Sequence, residues 1–180
     1  MIELNFIPFP HLSTERLFLR QIEMKDDNEI FTLRSDDQVN QFLNRSKAET
    51  INDARQHIQR LNEGTNRNES IAWAITLKDD DKLIGSICLW KISKELAKAE
   101  IGYELIPAFQ GRGIMQETII AVIKYGFEKI KFRCIEAELS PQNMKSIKLL
   151  GKNGFVLDTS NQDKDNPDSV VYTLMNKNAK

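Results

Sequence analysis

Hydrophobic and polar positions change their period along this chain, and the changes divide it into elements. Leu17–Ile22 ("LFLRQI") predicts a first strand after the turn-like "HLST". The stretch Met24–Leu33 predicts a helix with Ile30 and Leu33 on one face. Thr50 is placed to cap a second helix reaching Leu61, with Asp53 completing a capping box. Its apolar positions Ile51, Ala54, Ile58 and Leu61 follow the spacing of a buried helical stripe. After the loop "GTNRNES" the period shortens to that of strands. "IAWAITL" (71–77), "LIGSICLW" (83–90) and "KAEIGYELI" (98–106) form a meander, with "KDDDK" as a turn signal and Pro107 as a stop. A long helix is predicted from about Gly113 to Ile130. Its polar positions Glu117, Lys124, Glu128 and Lys131 make a single wet stripe, so the rest of its circumference is expected to be buried. "CIEAELS" (134–140) is a strand, Asn143–Asn153 a helix, and Gly154 suits the position after a helix end. "FVLD" and "SVVYTLM" close the chain around the polar stretch "TSNQDKDNPD".

This order of elements is α/β. Strand, long helix and strand over 98–140 predict a βαβ crossover with neighbouring parallel strands inside a mixed sheet. The segment Gln110–Met115 then falls at the carboxyl end of a strand, where open α/β sheets take their ligands. No internal repeat or linker divides residues 1–180, which are expected to form a single domain.

Composition narrows the classes. Hydrophobic residues at 41% and charged residues at 28% are those of a soluble globular protein. A formal net charge of −1 supplies no bulk field for nucleic acid or an acidic membrane. Cys88 and Cys134 lie in apolar stretches without CxxC spacing, which favours reduced core thiols and a cytoplasmic location. There is no basic leader pattern and no metal-ligand cluster; His11 and His57 stand apart from each other and suit surface or capping roles.

The stretch "QGRGIMQE" (110–117) raises the chemical question. Its two glycines meet where a loop becomes a helix, so unpaired N–H groups and the positive end of the helix dipole face whatever lies in front. A Gly-assisted turn with a surface Arg is the plain alternative. A Walker A loop needs GxxxxGK[ST], and a dinucleotide fingerprint needs a third glycine where Gln116 stands. What remains suits a pyrophosphate held by consecutive backbone amides.

Gln110-Gly111-Arg112-Gly113-Ile114-Met115 resembles motif A (Q/R-x-x-G-x-G/A) of the GNAT superfamily of N-acetyltransferases. "LSTERLFLRQIEMKD" (12–26), "AEIGYEL" (99–105) and "NMKSIKLLGKNGF" (143–155) resemble the opening strand, fourth strand and N-x-x-S…GF segment of its ribosomal-protein N-terminal acetyltransferase branch. Departures are Gln116-Glu117-Thr118 after the loop, Gly151-Lys152 before the final GF, and Met115 in place of a small residue.

The resemblance implies a mixed, mostly antiparallel central sheet with helices on both faces. It implies acetyl-CoA as cosubstrate, no metal, and direct attack by a primary amine, so that neither cysteine is needed as a nucleophile. Gln110, Gly111, Arg112, Gly113, Ile114, Met115 and Asn143 would hold the coenzyme, and the backbone of Leu105 and Ile106 would pair with its pantetheine arm. Glu100 would be the base, with Glu104 on the same strand face or a water as alternatives. Ser146 would assist the departing thiolate, because the tyrosine some members carry four positions later is Leu150 here. Asn143 and Ser146 also suit the plain roles of helix cap and third helical residue. The expected partner is an amine acceptor, a protein N-terminus or a small molecule, met by a monomer or homodimer. Acetylation of a small amine and non-catalytic acyl-CoA binding are the competing functions. The acceptor site is expected from 24–61 and 159–169.

Overall fold

A computed structural model describes residues 1–160 and 168–179. Eight strands form one sheet in the order β1-β2-β3-β4-β5-β6-β8-β7. They are β1 (Leu12–Ser13), β2 (Leu17–Gln21), β3 (Ile71–Leu77), β4 (Asp80–Ser93), β5 (Lys98–Leu105), β6 (Cys134–Leu139), β7 (Val156–Leu157) and β8 (Val170–Met175). Every pairing is antiparallel except that of β5 with β6. The helices are α1 (Asp27–Ser35), α2 (Asp37–Asn40), α3 (Ile51–Asn66), α4 (Ile114–Tyr125) and α5 (Met144–Lys152). The expected mixed sheet with a βαβ crossover is therefore present, with α4 carrying the crossover.

Two apolar clusters lie on opposite faces of the sheet, and β3 shows why. Ile71, Trp73 and Ile75 point into one cluster, with Ile114, Ile119 and Val122 of α4. Ala72 and Ala74 point into the other, with Ile30 and Leu33 of α1 and Ala54 and Ile58 of α3. A strand covered on both faces reads as a continuous apolar run because alternate side chains enter two different cores. The helix ends follow their predicted chemistry. Thr50 accepts from the Asp53 amide and Asp53 accepts from the Thr50 amide, the reciprocal capping box. Gly154 ends α5 with φ +83°.

Four expectations change. "HLST" is not only a turn, because Leu12 and Ser13 pair with Leu19 and Phe18. "KDDDK" contributes most of its residues to β4, since Leu77 pairs with Asp80. The long helix ends its α-helical hydrogen bonding at Tyr125 and continues to Ile130 as a wider π turn. Its polar stripe is also misplaced. Ile120 is 53% exposed, whereas the Glu117 carboxylate is turned onto Thr14 and Arg16. The hairpin of β1 and β2 recruits that carboxylate, so a position that periodicity marks as wet becomes a tertiary contact. Of "TSNQDKDNPD", residues 161–167 lie outside the described residues.

A buried ion pair ties α1's approach to the sheet. Arg20 of β2 donates from both terminal nitrogens to Asp26, at 2.8 and 2.7 Å. It also donates from Nε to Asp81 at 2.6 Å. Asp26 in turn accepts from the Glu23 amide at 2.8 Å. Removing one partner of such a pair leaves an uncompensated charge inside the protein. Asp26→Ala is expected to lower unfolding free energy by about 3 kcal/mol, read from urea denaturation; a loss under about 1 kcal/mol would mean that Arg20 finds another partner.

Candidate active site

The parallel pairing of β5 and β6 covers only Lys98–Glu100 against Cys134–Glu136. Beyond Glu100 the two strands part, although β5 continues to Leu105 and β6 to Leu139. On its other edge β5 stays paired with β4, and the Ile106 amide donates to the Ile84 carbonyl at 2.9 Å. Because bonding directions alternate along an antiparallel pair, Ile106, Glu104 and Gly102 address β4 while Tyr103 and Leu105 address the opening. Of the two residues expected to pair with a pantetheine arm, Leu105 therefore faces the gap. The Ile106 amide is committed to β4, and its carbonyl accepts from the Phe109 amide. Tyr103 is the second residue whose backbone faces the gap.

The loop that follows turns sharply at this point. Gln110 folds back and donates from Nε2 to the Leu105 carbonyl at 3.1 Å. Gly111 and Gly113 have φ +76° and +74°, a backbone region that residues with a Cβ adopt at a cost. A Cβ on Gly111 would meet nothing within 4 Å, so the conformation, and not lack of space, requires glycine there. Gly113 is the residue before α4, and no side chain caps the helix there. The first amides of α4 have no acceptor within the helix. Ile114 and Met115 are 4% and 8% exposed, their side chains packed into the core. Only their backbones are offered outward, together with the positive end of the α4 dipole. Arg112 lies over the Phe109 ring and presents its carbonyl to Arg16 at 3.0 Å.

Glu117, one turn into α4, holds this loop to the β1–β2 hairpin. It accepts from the Thr14 hydroxyl, from the Arg16 amide at 2.9 Å and from Arg16 Nε at 2.7 Å. Burial opposes the charge on Glu117, but these donors outweigh it and hold the carboxyl below its ordinary value.

Asn143 and Ser146 sit at the start of α5. Asn143 Oδ1 accepts from the Ser146 amide at 3.2 Å, so Asn143 is the helix cap. The Ser146 side chain lies close enough to the Tyr103 phenol to act on its ionisation. Burial raises the Tyr103 pKa, and the Ser146 contact opposes that only in part, so the phenol keeps its proton at neutral pH. Sequence reasoning missed Tyr103. It looked for a tyrosine on α5 at position 150, which is a core leucine, while β5 supplies one from across the gap. The available signal was alternation: in "EIGYEL" Tyr103 lies on the strand face opposite Glu100 and Glu104.

That opposite face carries carboxylates. Glu100 pairs with Lys91 at 3.0 Å, and Lys91 also reaches Glu138 of β6 at 3.2 Å. These carboxylates raise the Lys91 pKa against the opposing effect of burial. The Glu104 side chain is 8% exposed and pairs with Arg45 at 2.6 Å. Gly102 between them leaves a bare floor, where a Cβ would come within 3.2 Å of Cys88 Sγ. Burial raises Cys88 to about 12 and Cys134 to about 11, so both thiols stay protonated and unreactive. His11 stacks on Phe18, as a surface ring does. His57 is half-buried on α3, where burial first, then nearby arginines, lower its pKa to about 3. Among the described residues no group of His, Cys, Asp or Glu is arranged to hold a metal ion, and no helix is long and apolar enough to cross a membrane. A concavity of about 650 Å³ lies at the far end of α4, lined by Ile123, Phe127 and Arg133, away from these groups.

A parted β5–β6 pair and an uncapped helix start on left-handed glycines thus lie at one end of an α/β sheet, with polar groups on both sides. Residues 16–156 match the family described as the acetyltransferase (GNAT) domain. YoaA of Bacillus subtilis (strain 168), an uncharacterized N-acetyltransferase, is 36% identical over 147 residues, covering 82% of this chain and 83% of that one. The uncharacterized N-acetyltransferase p20 of Bacillus licheniformis is 34% identical over 144 residues, 80% of this chain and 81% of that one. RimL, a ribosomal L7/L12 alpha-N-protein acetyltransferase in complex with coenzyme A, has the same fold, with a TM-score of 0.80 at 19% identity over 92% of this chain and 98% of that one. The chain belongs to the GNAT family and is an acetyltransferase.

The depressed Glu117 pKa has a pH signature. A carboxyl whose folded value is lowered adds stability that is fully present above its unfolded pKa, about 4.3, and is lost as pH falls toward the folded value. Glu117→Gln is expected to be less stable than wild type at pH 7, with the difference shrinking below about pH 4. Denaturant midpoints at several pH values check this, and a difference independent of pH would show that the hydrogen bonds, not the charge, hold the loop.

Proposed function

We propose that this enzyme transfers the acetyl group of acetyl-CoA to the α-amine of a protein or peptide. The observation that carries the reading is the open start of α4 behind the left-handed Gly111 and Gly113, which follows the end of β5 where β5 and β6 have parted. The residues fit the cosubstrate. The amides from Gly111 to Met115 suit its pyrophosphate, Arg112 adds a positive charge at the loop, and the backbone of Tyr103 and Leu105 suits the amides of an extended arm. Gln110 shapes the loop from behind, and Asn143 orients the start of α5 beside it.

Acetyl-CoA supplies an acetyl carbon activated as a thioester. The protein must then accept the proton the amine loses and stabilise the sulfur as its bond to carbon breaks. Glu100 is the base in this reading, held in place by Lys91. Ser146 and Tyr103 form the donor pair toward the sulfur, the phenol supplying the proton that a serine alone gives up poorly. The preference for an α-amine is energetic. Its pKa of ~7.7 against ~10.4 for lysine makes it about 3.7 kcal/mol easier to deprotonate at neutral pH.

Acetyl-CoA at a hundredfold excess over Kd is expected to stabilise the fold by about 2.7 kcal/mol, seen as a rise in Tm. Asp tolerates left-handed backbone better than most residues, so Gly113→Asp should fold yet lose the shift through its charge. With acetyl-CoA bound, a panel of amine acceptors read by thiol release should favour N-terminal peptides over lysine side chains and spermidine. Faster turnover of spermidine would overturn the acceptor class, and absence of any shift would overturn the coenzyme site.

Ser146→Ala and Tyr103→Phe should each lower kcat roughly tenfold, equivalent to about 1.4 kcal/mol, with a smaller effect on the Kd of acetyl-CoA. Because the two side chains lie close together, the double variant should lose less than the product of the two. Fully multiplicative losses would show that the two hydroxyls act separately.

A further inference from the structure

We infer that the acceptor peptide carries an acidic side chain a few residues from its amine, and that Arg34 and Arg60 receive it. This rests on the acetyltransferase reading above and names the substrate class of the same site. Three arginines gather on the side of the sheet that holds Glu104. Arg45 is already spent, donating from Nε to Asn40 at 2.8 Å and from its terminal nitrogen to Glu104 at 2.6 Å. Arg34 of α1 is half-buried, and its side chain contacts His57 Nε2 at 3.5 Å. No carboxylate among the described residues pairs with it. Arg60 of α3 is exposed on the same cluster, close enough to act on both Arg34 and His57.

The charges do not balance locally. Among the described residues, three guanidinium groups gather around one carboxylate, Glu104, in a chain whose formal net charge is −1. His57 is neutral at any physiological pH and adds no counter-charge. Burial first, and then repulsion from Arg45, hold Arg34 below its ordinary pKa despite Glu104. A half-buried guanidinium beside two others is short of an anion, and a ligand carboxylate entering there gains a charge-assisted, two-pronged contact.

Distance selects the source of that carboxylate. Glu100 and Glu104 stand four residues apart on β5, about 13 Å along a strand. An extended peptide covers that span in about four residues. With its amine at Glu100, an acceptor places a side chain from roughly its third or fourth residue at the arginines. The α-carboxylate of a free amino acid lies too close to the amine to reach them.

The test compares C-terminally amidated peptides that differ only in carrying Asp, Asn or Lys at the third or fourth position, with free serine as a control. The acidic peptide should exceed the Asn peptide at least tenfold in kcat/KM, and the Lys peptide should be slowest. That ratio should fall toward one at high salt, since the subsite is open at Arg60. It should also fall toward one in Arg60→Gln, an exposed position that folding does not depend on, and in Arg34→Gln once thermal melting shows that this variant folds. A wild-type ratio at or below one overturns the inference, as does a variant that slows all peptides equally. Free serine outrunning the acidic peptide overturns the peptide source. If no peptide is acetylated while acetyl-CoA still raises Tm, the α-amine reading fails. The subsite is then read by calorimetry with the N-acetylated acidic peptide: binding that Arg60→Gln abolishes supports it, and no binding to wild type overturns it.

Discussion

Parallel hydrogen bonding between β5 and β6 stops at Glu100 and Glu136, and the arrangement of the site follows from that interruption. Strand backbone left without a neighbour inside a sheet must find other partners. One is internal, the Gln110 side chain on the Leu105 carbonyl. The remainder, on Tyr103 and Leu105, faces an opening. The chain leaves β5 beside this opening and must reverse within a few residues to begin α4. Left-handed backbone at Gly111 and Gly113 makes that reversal, and no side chain caps the first amides of α4.

An uncapped helix start held in place is different from one that frays. Glu117 supplies the hold, gathering Thr14 and Arg16 of the hairpin, while Arg16 reaches on to the Arg112 carbonyl. The hairpin is itself anchored to the sheet through β3. The buried Arg20–Asp26 pair does the same for the entry to α1 and thus for the wall that carries Arg34. Charge inside this protein is spent on fixing the approach of loops that surround the site.

The period of a strand explains how one element serves two chemical roles. Along β5, Glu100 and Glu104 point to the α1–α3 side, and Tyr103 points to the α4–α5 side, toward Ser146. On the proposed reading, a proton acceptor and a proton donor flank the parted strands from opposite faces. Neither group needs a loop to deliver it, and both ride on a strand paired along its length to β4. The reacting atoms would then lie where the sheet is interrupted, with the amine arriving from one side and the thioester from the other.

Much of this was legible in the residues. The alternation in 71–105 announces the meander, the strand–helix–strand order of 98–139 announces the parallel pair, and "QGRGIM" announces the anion-facing turn, because each depends on local period or backbone conformation. Thr50 and Gly154 were legible for the same reason. What the residues could not show were contacts between elements far apart in sequence. Glu117 reads as a wet helix position until the hairpin at Thr14 and Arg16 folds against it. His57 reads as a surface or capping residue until α1 and α3 pack beside it, and Glu104 as a second candidate base until Arg45 arrives from the 41–50 segment. Tyr103 reads as one more apolar strand position until α5 sets Ser146 beside it. Local sequence determined the elements and the turn at α4; tertiary packing alone decided which charges are paired, which are left wanting, and which hydroxyls meet, because burial and proximity between distant residues exist only in the folded chain.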